Sequence, residues 1–179
     1  SVIKIYYKIS HKEKRSNQLN YLLKTLEKNS DYKNNLNVYY ANIAEVYLKS
    51  DDLTNAEKYY HKSLAIKKDV GRNNILMSLT EVKIFLDKFE EAEELMKKVK
   101  PKGTYQKINY YKVLNRLYFK TKQKDKFRKN YIDSYLLISD YSKGILKTQD
   151  TGDVSFWFGG YIIEMLEALH TMPKQDYNL

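Results

Sequence analysis

Lys112, Arg116 and Lys120 stand four residues apart, so a helix through them sets three cations in one row. Such a row can grip a carboxylate or an acidic peptide, and Arg116 can do so through two parallel hydrogen bonds. Other chemistry finds little support. His11, His61 and His170 fall on separate segments with no metal-ligand spacing, so no metal is expected. The chain has no glycine-rich phosphate loop, dinucleotide fingerprint or nucleophile elbow. The carboxylates of residues 90–94, EEAEE, read as a solvated helix face. No catalytic site, cofactor or metal is therefore expected, and binding is the function class that remains.

The charge is local. Residues 97–129 hold thirteen Lys or Arg against a single acid, Asp125, a net of +12, while the 179-residue chain carries +10. A concentrated excess of this kind suits an acidic partner, an anionic surface or nucleic acid. Tyr and Phe are interleaved with these bases, as in nucleic-acid platforms, but only Arg116 and Arg128 are arginines, and Tyr111 and Tyr118 fall in an apolar helical register. The pattern therefore favours protein over nucleic acid. With no cysteine there is no disulfide, and either a cytoplasmic or a periplasmic setting is compatible. Residues 1–20 lack the basic start and apolar run of a targeting segment, and no apolar run of about 18 residues is present to span a bilayer. A start at Ser1 without Met fits a trimmed piece of a longer chain.

The elements that position the cationic row repeat. Tyr40, Ile43, Ala44, Tyr47, Ala56, Tyr60 and Leu64 form one apolar register. Leu76, Leu79, Thr80, Lys83, Ala92 and Met96 follow 36 residues on where they align, and Tyr111, Leu114, Asn115, Tyr118, Phe127 and Tyr131 a further 35. A period of roughly 20–50 residues with helical spacing inside it indicates stacked helical hairpins. KSDD, residues 49–52, supplies a turn, with Asp52 or Thr54 to cap the next helix. Pro101 and Gly103 are expected to end the helix that begins near Phe89.

This pattern resembles the tetratricopeptide repeat, with Tyr40, Ile43, Ala44 and Tyr47 in helix A and Ala56 and Tyr60 in helix B. The resemblance implies an all-α, right-handed superhelical stack of antiparallel helical hairpins. The expected organisation is an atypical N-terminal hairpin in residues 1–35, three hairpins near 37–70, 73–104 and 108–142, and a loop and capping helix in 146–179. It implies small residues at Ala56 and Ala92, where the two helices of a hairpin cross closely. Lys83 departs from the pattern where Tyr is expected, and Phe127 where a small residue is expected.

The resemblance also implies a concave face lined by helix A of each hairpin, binding a protein or peptide. The inward residues would be Asn42, Glu45 and Lys49, then Met77, Ser78, Glu81 and Phe85, then Lys112, Arg116 and Lys120. The carboxylate clamp of some family members is mostly missing: Asn42 matches one position, but Val38, Ser78, Asn109 and Val113 hold the others. Similar arrays, rich in Lys, Asn and Tyr, serve as sensor parts of larger bacterial regulatory proteins. Two other readings stay open: an anionic-surface or nucleic-acid binder through residues 97–129, and a self-associating scaffold. In the second, Phe156, Trp157 and Phe158 would form a docking patch for a homodimer or partner.

Overall fold

Apolar residues recurring every three or four positions, with few glycines and prolines between them, favour helices and little else. The computed structural model describes residues 35–66 and 71–146, together with residues 17, 19, 21, 23–25 and 28; the side chains of 142–146 are excepted. The bounded helices are α1 (Leu36–Lys49), α2 (Leu53–Ala65), α3 (Arg72–Phe85), α4 (Phe89–Lys97), α5 (Gly103–Lys120) and α6 (Lys124–Leu146). No strand occurs among the described residues, so the expected all-α class holds. The chain divides into two compact units, Ser1–Lys100 and Pro101–Leu179. No described helix is long and apolar enough to cross a membrane.

In the first unit α1 packs on α2, α2 on α3 and α3 on α4, and α1 also touches α3. The end of α2 lies beside the start of α1: the Ser63 hydroxyl donates to the Asn37 carbonyl at 2.6 Å. Nearer the turn, the Tyr47 and Tyr59 rings stack at 5.5 Å, 4° from parallel. This is an antiparallel hairpin. Its core holds Ile43, Ala44, Tyr47, Ala56 and Tyr60, joined by Leu79 and Val82 of α3 and by Leu19 and Leu23 of a helical segment that precedes α1. Fully burying one such large side chain contributes about 1.5–3 kcal/mol.

The three hairpins share one turn. Asp51, Asp87 and Lys122 adopt positive φ of 59°, 54° and 56°, at spacings of 36 and 35 residues. In each turn the next amide, that of Asp52, Lys88 or Gln123, donates back to the carbonyl of Tyr47, Lys83 or Tyr118 at 2.9 Å. The left-handed residue closes the helix end and satisfies carbonyls that the last turn would leave unpaired. Asp52 then caps α2, accepting from the Asn55 amide at 3.2 Å and from its side chain at 2.9 Å. The expected cap is therefore present.

Ala56 and Ala92 are fully buried. A larger side chain at either position would overpack the surrounding core, at a cost of about 1–3 kcal/mol. In the second unit Phe127 occupies this register and is also buried, its ring 6.2 Å from Phe119 and 6.5 Å from Tyr131. α5 and α6 still pack together. The Asn130 amide bridges them, donating to the Tyr111 carbonyl at 2.9 Å and to Asn115 Oδ1 at 2.7 Å.

One local expectation needs correcting. Pro101 and Gly103 do not end α4, which stops at Lys97. Gly103, at φ 71°, opens α5 instead, earlier than the expected start near 108. Glycine adopts this backbone without a Cβ penalty, so it can redirect the chain into a new helix. The segment before it is anchored within the first unit: the Asn73 side-chain amide donates to the Lys100 carbonyl and accepts from the Lys100 amide, at 2.5 and 3.2 Å.

Lys122 is exposed and holds a positive φ that costs a non-glycine residue about 1–2 kcal/mol. Glycine gives back part of this through backbone entropy, about 0.5–1 kcal/mol. Lys122→Gly should therefore raise the thermal midpoint by a few degrees, read by circular dichroism. A lower midpoint would mean that the lysine side chain itself stabilises the turn.

Candidate functional site

The helix A residues expected to face a ligand divide between the two units. In the first, α1 places Asn42 and Lys49 in solvent and Glu45 half-buried. α3 places Ser78 and Glu81 half-buried and leaves Phe85 49% exposed. Met77, read from the sequence as an apolar contact, is only 4% exposed and serves as core.

Glu45, Ser78 and Glu81 converge on one buried atom. The Tyr60 hydroxyl, brought up from α2, donates to Glu45 Oε2 at 2.9 Å. Burial, then the charge and hydrogen bond of Glu45, hold that hydroxyl far above its ordinary pKa of 10.0; Ser78 opposes the shift and Glu81 adds to it. Tyr60 therefore stays a proton donor and fixes the Glu45 carboxylate from beneath. On the outer side Glu45 meets Lys49 at 3.3 Å, an exposed pair that contributes little by itself. The outward face of α1 and α3 is thus polar, held from below, and ends on an exposed phenylalanine.

In the second unit, Lys112 and Arg116 are half-buried and Lys120 is exposed along α5. Their spacing keeps them in one row on that helix. Lys122, Lys124 and Lys126 are exposed around the following turn, with the Lys126 ammonium 5.6 Å from the Tyr118 ring centre. Phe156, Trp157 and Phe158 lie outside the described residues. Among the described residues, no group of three or more His, Asp or Glu side chains is placed to hold a metal ion.

The sequence reading missed the most tightly held charge. Lys83 is 3% exposed, yet its ammonium bonds to Glu57 of α2 at 2.5 Å and to Glu91 of α4. Glu57 also takes Lys88 at 3.0 Å. The sole hint was that Lys83 sits in an apolar register where the neighbouring repeats have Tyr. Glu91, read as part of a solvated face, is half exposed but also binds this buried ion. Desolvation lowers the Lys83 pKa, but hydrogen bonds and charge from Glu57 and Glu91 more than offset it and hold it above the ordinary 10.5. Glu57 is the converse: burial raises its pKa, and Lys83 and Lys88 bring it below 4.5.

No family model matches the chain, and no curated protein or solved structure matches it significantly.

Removing one member of this cluster leaves a buried charge short of a partner. Glu57→Leu should cost about 2–3 kcal/mol in denaturant unfolding, below the 3–5 of an isolated buried pair because Glu91 remains. Adding Lys83→Met should restore part of that loss, and additive costs would show the two residues to be uncoupled. The pH dependence follows from the shift directions. Glu57 contributes stability that is present above pH 4.5 and lost as pH falls through its depressed folded pKa. Lys83 contributes stability that is full below pH 10.5 and lost as pH rises through its elevated folded pKa. Unfolding free energy measured against pH should show the acid limb shrinking in Glu57→Gln.

Proposed function

We propose that the chain is a protein-binding helical-repeat module of the tetratricopeptide kind, stacked as a right-handed superhelix, whose helix A face holds a peptide segment of a partner. The observation that carries this reading is the fixed period: the same positive-φ turn at Asp51, Asp87 and Lys122, with fully buried alanines at Ala56 and Ala92 in the first two hairpins. Stacked repeats of this type present extended binding surfaces rather than catalytic clefts. On this reading Asn42, Glu45, Lys49, Ser78, Glu81 and Phe85 form the contact surface of the first unit. In the second unit Lys112, Arg116 and Lys120 offer a row of charge of their own to an acidic segment. Phe85 supplies an aromatic anchor of the kind that dominates binding energy. The Tyr60 hydroxyl preorganises the Glu45 carboxylate, which lowers the ordering cost of binding. By analogy of architecture, such a module serves as the interaction part of a larger regulatory protein.

The test is fluorescence anisotropy with labelled acidic and basic peptide pools and a short DNA duplex, at low and moderate salt. The acidic pool should bind best, and Arg116→Glu and Phe85→Ala should each weaken it roughly tenfold without changing the circular dichroism spectrum. Equal binding of duplex, lost with Glu at Lys122, Lys124 and Lys126, would move the function to the basic segment 97–129. Binding indifferent to Arg116 and Phe85 would remove the helix A face as the site.

A further inference from the structure

Between the end of α4 at Lys97 and the start of α5 at Gly103 the chain reads KVKPK, with lysine at 98, 100 and 102. Exposed, irregular backbone of this kind is where endoproteases cut, and burial and hydrogen bonding decide which bond is open to them. The bond after Lys98 is shielded. Lys98 keeps a helical backbone at φ −85° and ψ −14°, its amide donates to the Leu95 carbonyl, and Val99 is buried with its amide bonded to Met96. The bond after Lys100 leads into Pro101, whose ring takes the place of the amide hydrogen. After Lys102 neither obstacle is present. Lys102 and Gly103 are both exposed, and Lys102 is extended at φ −111° and ψ 130°. This is the strand form in which a peptide adds to another protein's backbone.

The helix beyond the bond is weakly started. Lys102 gives α5 no side-chain cap, its first turn carries no acid to meet the dipole, and its first residue is glycine. The strand before the bond is held by one side chain. Asn73 of α3 accepts from the Lys100 amide at 3.2 Å and donates to the Lys100 carbonyl at 2.5 Å. A protease seats its substrate by pairing with backbone groups such as these, so Asn73 competes with it for the same strand. We propose that Lys102–Gly103 is a processing site for a lysine-specific serine endopeptidase, gated by Asn73. The enzyme's serine attacks the Lys102 carbonyl carbon, and the bond to the Gly103 nitrogen breaks as that nitrogen takes a proton and leaves as a new amino terminus. Water then releases the acyl group as the Lys102 carboxylate. The cut leaves α4 and α5 whole and falls two residues past the boundary of the compact units. It places the row of Lys112, Arg116 and Lys120 on a different polypeptide from Glu45, Ser78 and Glu81.

The test treats the full chain with a trace of trypsin and reads the order of cuts between residues 71 and 146 by mass spectrometry. The bond after Lys102 should be cut first. Lys102→Gln should abolish that cut without changing the circular dichroism spectrum. Asn73→Ala should speed it roughly tenfold, the factor for losing about two ordinary hydrogen bonds, while cleavage after Lys98 and Lys122 keeps its rate. A first cut after Lys98 or Lys122 overturns the proposal, as does resistance of the whole stretch. Asn73→Ala without effect also overturns it. So does equal acceleration of every cut, which would make Asn73 a general stabiliser of the fold and no gate.

Discussion

An ammonium group taken out of water costs several kcal/mol unless carboxylates replace its hydration. Lys83 meets that condition by sitting where three helices converge: it is carried by α3 and held by Glu57 from α2 and Glu91 from α4. Lys88, at the start of α4, returns to the same Glu57. Apolar contacts alone would let neighbouring hairpins slide, because the hydrophobic effect is non-directional. The ion cluster has direction. It fixes the register of α2 against α3 and of α3 against α4, and the apolar core of Ile43, Tyr60, Leu79 and Val82 closes around that register.

The outward face depends on this arrangement. α1 and α3 can present Glu45, Ser78 and Glu81 as one row only if α2 holds both at fixed offsets. The Tyr60 hydroxyl reads those offsets directly, since it stands beneath the row and donates to Glu45. The peptide-binding face we propose would draw on such a preordered row, because side chains already fixed do not have to be ordered on binding. In the second unit the same economy takes another form, with the buried amide bridge between Asn130 and Asn115 setting α6 against α5.

Much of the helical framework could be read directly. The apolar stripe of Tyr40, Ile43 and Tyr47, the turn at KSDD, the Asp52 cap and the buried Ala56 all follow from local spacing and propensity. What local spacing hides is any partner far along the chain. Glu57 and Lys83 are 26 residues apart, so the register marks Lys83 as a departure without naming the carboxylates that make it affordable. Met77 failed as a surface residue because α3 touches α1, α2 and α4, which leaves it a narrow outward face. Gly103 was misplaced because glycine marks a change of direction equally well at the end of one helix and at the start of the next. Ile132, Tyr135 and Leu136 of α6 have the right spacing for a core face, and their exposure becomes apparent only once Asn130 and Ile138 are seen to occupy the side toward α5.

If Lys83 joins the first two hairpins into one body, they must open together. Amide hydrogen exchange followed helix by helix on the parent chain measures this directly. The slowest amides of α1, α2 and α3 should then exchange at a common free energy of opening, with the amides around Leu79 and Ile84 among them. Exchange of α1 and α2 at one free energy and of α3 and α4 at a clearly different one would show two independent hairpins and contradict the role given to Lys83.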